Sequence, residues 1–135
     1  MSKESKIKNF DPNDLGDRAG NIYGLPFTTE EAEVVIIPVP WEVTVSYGSG
    51  TAKGPMAVYN ASFQVDLYDP YFPDAWKIGI AMDKFPTALK KKSDTLRKSA
   101  EKYISSLEKG QSPDKNKALA KIQQLINKEC ETLNK

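Results

Sequence analysis

The run Val34-Val35-Ile36-Ile37-Pro38-Val39 constrains the fold of this chain more than any other feature. Side chains branched at Cβ are stiff about χ1 and favour extended backbone. The run is apolar on both faces, without the polar alternation of a half-exposed strand. That is the pattern of a strand buried between two layers, as in a parallel sheet. Pro38 has no N–H to give a ladder, so the strand should end near it or lie at an edge.

Downstream of the run, the chain has the grammar of an α/β unit. A loop extends from Pro40 to Gly54, and its glycines at 48, 50 and 54 permit left-handed backbone or close approach. Pro55 suits the first turn of a helix, which Met56, Ala57, Tyr59 and Asn60 continue to about Phe63. Val65-Asp66-Leu67-Tyr68 leads into the breaker-rich turn Asp69-Pro70-Tyr71-Phe72-Pro73-Asp74, and the alternating segment from Trp76 to Met82 reads as a second strand. Strand, loop, helix and strand together predict an α/β class. Upstream, residues 1–32 are polar and turn-rich and predict an irregular N-terminal arm, with capping-box spacing from Thr28 to Glu31 marking a short helical turn.

From residue 83 the pattern becomes helical. Leu89, Leu96, Ala100, Tyr103 and Leu107 fall on one helix face, and so do Leu119, Ile122, Ile126, Cys130 and Leu133. Gly110 is a C-terminal stop for the first helix, and Ser112-Pro113-Asp114 has the form of a start for the second. The expectation is a lysine-rich helical hairpin over about 86–134. The organisation is then one incomplete domain over 1–135: the arm at 1–32, the strand-loop-helix-strand unit at 33–82 and the hairpin at 83–135. A two-faced strand needs neighbours on both sides, and a two-stranded sheet is marginal, so the chain reads as part of something larger.

Composition excludes several chemistries. There is no histidine, which removes Ser-His-Asp and Cys-His nucleophilic sites and the common zinc ligand sets. Asp66, Asp69 and Asp74 lie in a proline-rich turn without calcium-loop spacing, so turn and capping roles fit them better than metal ligation. Gly48-Ser49-Gly50 lacks the Gly-Lys-Ser/Thr of a phosphate loop. The single cysteine, Cys130, and the absence of an apolar segment after the charged N-terminus predict a cytoplasmic protein. No apolar run approaches the ~18 residues of a membrane span. Residues 1–82 hold 6 Lys and Arg against 11 Asp and Glu, and residues 83–135 hold 13 against 7. The lysines alternate with acids in a helical pattern, as on a solvated face. Arg97 is the sole arginine of the basic half and no aromatic stacking platform accompanies it, so nucleic-acid binding is not expected.

Residues 34–69 resemble the opening of ureohydrolases, the agmatinase/arginase family with its formiminoglutamase relatives. The strand ends Pro38-Val39-Pro40, and the loop reads Thr44-Val45-Ser46-Tyr47-Gly48-Ser49-Gly50. The helix opens Gly54-Pro55-Met56-Ala57-Val58, and the segment closes Ala61-Ser62-Phe63-Gln64-Val65-Asp66-Leu67-Tyr68-Asp69. It departs from the family pattern at Pro38, where a glycine is usual, and at Tyr59, where an arginine is. The resemblance implies the first part of an arginase-like three-layer α/β fold with a parallel sheet, completed by the remainder of a longer chain and assembled as a trimer or hexamer. It also implies paired manganese ions whose bound hydroxide attacks a small cationic guanidino or amidine substrate. The family's G-G-D-H, D-A-H-x-D and D-x-D-x-x-D-P segments, which carry the metal ligands, do not occur here. No catalytic or metal-ligating residue is therefore assigned in this chain.

Ligands of open α/β sheets bind at the carboxyl ends of strands, where the Pro40–Gly54 loop lies. Trp41, Glu42, Ser46, Tyr47 and Gly48 are accordingly the candidate pocket-rim residues. A carboxylate at Glu42 would attract a guanidinium, and Trp41 or Tyr47 would offer a cation–π face. The alternative for Trp41 and Tyr47 is packing, with the glycines only shaping the turn. At the level of the whole chain, the alternative to a ureohydrolase segment is a non-catalytic interaction module built on the basic hairpin.

Overall fold

The computed structural model describes residues 1–45 and 48–134. Its regular elements are α1 (Lys3–Asn9), β1 (Val34–Ile36), α2 (Gly54–Ser62), β2 (Ile80–Met82), α3 (Thr87–Glu108) and α4 (Lys117–Leu133), with short 3-10 turns at Ile22–Gly24, Thr51–Lys53 and Ala75–Ile78. They form two compact units. One contains Met1–Val39 and Lys53–Pro86, the other Pro40–Ala52 and Thr87–Lys135. The loop after β1 thus belongs with the helical hairpin, not with the strand-loop-helix-strand segment in which sequence order places it.

In the first unit β1 and β2 pair in parallel, with Val34 opposite Ile80, Val35 opposite Ala81 and Ile36 opposite Met82. A small parallel sheet beside helices is consistent with the α/β class expected. Both strands are shorter than the patterns 34–39 and 76–82 suggested. Pro38 ends ladder donation on β1, and before β2 the chain turns as a 3-10 helix to Gly79 at φ 79°. The expected burial of β1 on both faces is not met. Val34 and Val35 are 44% and 41% exposed, and Ile37 is 70% exposed, whereas Ala81 of β2 is fully buried. β1 has a neighbour on one side among the described residues. Asn21 covers the end of β2: its Oδ1 accepts from the Met82 N–H at 2.9 Å and its Nδ2 donates to the Met82 carbonyl at 3.2 Å.

The core of this unit is Leu25, Phe27 and Trp76, with Ile7, Phe10, Tyr23, Leu67 and Ile80 packed around it. Phe10 sits 5.0 Å, ring centre to ring centre, from Trp76. Residues 3–9, expected to be irregular, form α1. Ser2 caps it through the Ser5 N–H, and Lys3 and Lys6 tie it to the unit. Lys3 Nζ donates to the Ile78 carbonyl at 2.7 Å, and Lys6 pairs with Glu31 at 2.6 Å. The Thr28–Glu31 signal is real but makes only a turn, in which Glu31 Oε2 accepts from the Thr28 N–H at 2.9 Å.

In the second unit α3 and α4 pack against each other. α3 ends in a Schellman motif: Gly110 adopts φ 76°, its N–H donates to the Leu107 carbonyl, and the Gln111 N–H donates to that of Ser106. α4 begins later than Ser112-Pro113-Asp114 suggested. Those residues form a separate turn, and the cap is Asn116, whose Oδ1 accepts from the Ala118 and Leu119 N–H groups. The hairpin core joins Leu96 and Ala100 of α3 to Ile126 of α4, with Ile122 and Cys130 half-buried beside them. Lys92 and Glu129 pair across the two helices.

Candidate functional site

The candidate loop is held on the hairpin by its apolar residues. Pro40 and Val43 are fully buried, and Val43 packs with Leu96, Ala100 and Ile126. Burying a side chain of this size is worth about 1.5–3 kcal/mol. Trp41 is half-buried against the same cluster, which is the packing role that its sequence context left open.

Glu42 lies between Trp41 and Val43 in the chain. Its Oε2 accepts from the Gly50 N–H at 2.7 Å and from the Ala52 N–H at 3.0 Å, closing the loop on itself. The residue is only 9% exposed. Hydrogen bonds from the Ala52 and Gly50 amides, helped by the charges of Lys90 and Arg97, hold its carboxyl below the usual carboxylate range in spite of burial. Gly50 reaches the carboxylate with φ 136°, a backbone state closed to most side chains.

Two residues of α3 that sequence reasoning passed over complete the arrangement. Ser93, fully buried, accepts the Glu42 N–H on its Oγ at 3.0 Å. Arg97 Nη1 donates to the Val45 carbonyl at 2.5 Å and to the Val43 carbonyl at 3.4 Å, while its Nε donates to Glu101 at 3.0 Å. The available signal for both was helical spacing. Ser93, Leu96, Arg97 and Ala100 recur at intervals of three, one and three residues and so share one face.

Of the candidate rim residues, Trp41 and Glu42 lie on the hairpin, and Gly48 is exposed at φ 72°. Ser46 and Tyr47 fall outside the described residues. Oε2 of Glu42 is engaged with the Gly50 and Ala52 amides. Among the described residues no group of three or more His, Cys, Asp or Glu side chains converges as a metal site.

The first unit has a concavity of its own, about 800 Å³, at the carboxyl end of β2, lined by Asn21, Phe27, Glu30, Tyr59, Met82 and Phe85. Its polar groups are largely committed to backbone. Tyr59 Oη donates to the Gly20 carbonyl, and Asn21 is spent on Met82 and Ile22.

A stretch of 39 residues is 49% identical to the N(1)-aminopropylagmatine ureohydrolase of Synechocystis sp.. It covers 29% of this chain and 13% of that protein, so the chain matches a small part of the length of its curated relative. No family model and no solved structure matches the chain. The likeness is to a segment of a ureohydrolase.

Proposed function

We propose that this chain is the N-terminal segment of a manganese-dependent ureohydrolase that hydrolyses a guanidino C–N bond, as in agmatinase-like enzymes. On this reading the chain is not catalytic by itself, because it has no histidine and the family's metal-ligand segments do not occur in it. The observation that carries the reading is the 39-residue stretch at 49% identity. The segment's part is to supply the first strand and the Pro40–Gly54 loop, with the metals and the remaining sheet strands provided by further chain. Val34, Val35, Ile37 and Val39, all more than 40% exposed along one short stretch, support a requirement for such covering.

The chain is tested alone and in a form extended through the downstream reading frame, each loaded with Mn²⁺ and offered agmatine and N(1)-aminopropylagmatine. The expected result is urea release by the extended form and none by residues 1–135. An extended form that releases no urea with either substrate, at any metal loading, overturns the reading and favours the interaction module. When complete, the enzyme is expected to be a cytoplasmic trimer or hexamer, and sedimentation of the extended form measures its assembly.

A further inference from the structure

We infer that Arg97 is a positioning residue for the candidate loop, and that α3 sets the conformation in which that loop is presented. The loop's importance to catalysis rests on the ureohydrolase reading; its anchoring does not. Arg97 holds the chain just before residues 46–47, through the carbonyls of Val43 and Val45. Glu42 holds it just after, through the N–H groups of Gly50 and Ala52. Glu42 is in turn fixed to α3, because its own N–H donates to the buried Ser93 Oγ. The segments 43–45 and 50–52 are thus tied to one helix face by charge-assisted or buried hydrogen bonds, the stronger kinds.

The choice of arginine follows from geometry. One guanidinium nitrogen, Nη1, reaches the two carbonyls while a second, Nε, donates to Glu101, and an ammonium has a single nitrogen that cannot occupy both positions. Lysines surround the position on α3, at 90, 91, 92, 98 and 102, but the residue facing the loop is the arginine. The hydrogen bonds of the clamp thus come from Arg97, while Lys90 contributes its charge to the Glu42 carboxylate.

The test is amide hydrogen exchange, resolved by residue, on the 135-residue chain. Arg97→Gln releases the Val43 and Val45 carbonyls and so loosens the segment that carries Glu42; exchange at Gly50 and Ala52, whose N–H groups Glu42 holds, is expected to accelerate roughly ten- to a hundredfold. The central amides of α3 should change much less. Arg97→Lys should recover part of the protection, and Lys98→Gln, one position away, should leave it intact. A uniform acceleration over α3, α4 and the loop would mean general destabilisation and would overturn the inference, as would unchanged exchange at Gly50 and Ala52. Urea release by the extended form is a separate measurement. Its absence would remove the ureohydrolase reading while the exchange result continued to support the clamp.

Discussion

Glu42 is the residue whose chemistry is most altered by its surroundings. A carboxylate beside a tryptophan in a glycine-rich loop invites the reading of a cation-binding group, but one of its oxygens already accepts two backbone N–H groups. Glu42→Ala should destabilise the second unit by about 2–3 kcal/mol, and Glu42→Gln, which keeps an acceptor oxygen, by about 1 kcal/mol. Chemical denaturation at neutral pH measures both. The acid dependence has a definite sign. A carboxyl held below its ordinary value contributes stability that is complete above the unfolded-state pKa of about 4.3 and is lost as pH falls through the lower folded-state value. Wild type should therefore lose stability relative to Glu42→Gln as pH falls below about 4.3, the gap closing as the native carboxyl protonates. Glu31 also contributes to the acid slope, its carboxyl lowered chiefly by the hydrogen bond from Lys6, but it does so equally in both proteins.

At the scale of elements, helix ends show how local signals compete. Ser112-Pro113-Asp114 and Asn116-Lys117 are both acceptable starts, a few residues apart, and only the second opens α4. The first is consumed by its own turn, in which the Lys115 N–H donates to the Ser112 carbonyl. Asn116→Ala should therefore cost about 1 kcal/mol, since it leaves two N–H groups uncapped, whereas Ser112→Ala should stay within about 0.5 kcal/mol. Helicity followed through a denaturant titration distinguishes the two, and a larger loss in Ser112→Ala than in Asn116→Ala would place the functional cap at Ser112. α1 was illegible for a different reason. Its seven residues, KESKIKN, carry Ile7 as their only apolar side chain, so no periodicity marks them. The helix is held by tertiary contacts, Ile7 against the aromatic core and Lys3 and Lys6 on their partners, and helices this short are not stable on local terms.

For the whole chain, the consequential fact is how much apolar surface remains outside. Ile37 at 70%, Tyr71 at 85% and Phe72 at 69% exposure all belong to the first unit, and β1 offers a strand edge in that same unit. Such a surface on an isolated chain favours self-association. Sedimentation of residues 1–135 should show concentration-dependent association, and Ile37→Lys should reduce it while leaving the far-ultraviolet circular dichroism unchanged. Association that is insensitive to Ile37→Lys would place the sticky surface elsewhere, with Tyr71 and Phe72 the next residues to replace.

Sequence alone determined the things that depend on local chemistry and periodicity. It located both strands, the helix opened by Pro55, the two long helices, and the Gly110 stop, because each is written in neighbouring residues as β-branching, helical spacing or a left-handed glycine. It also determined that no histidine-based site exists in this chain. Tertiary structure decided which unit the Pro40–Ala52 loop joins, and with that which groups Glu42 bonds. The reason is physical. Glu42 stands 51 residues from Ser93, and Arg97 stands 52 from Val45. Such donors and acceptors take their roles from the partners that folding brings within about 3 Å, which no local pattern records.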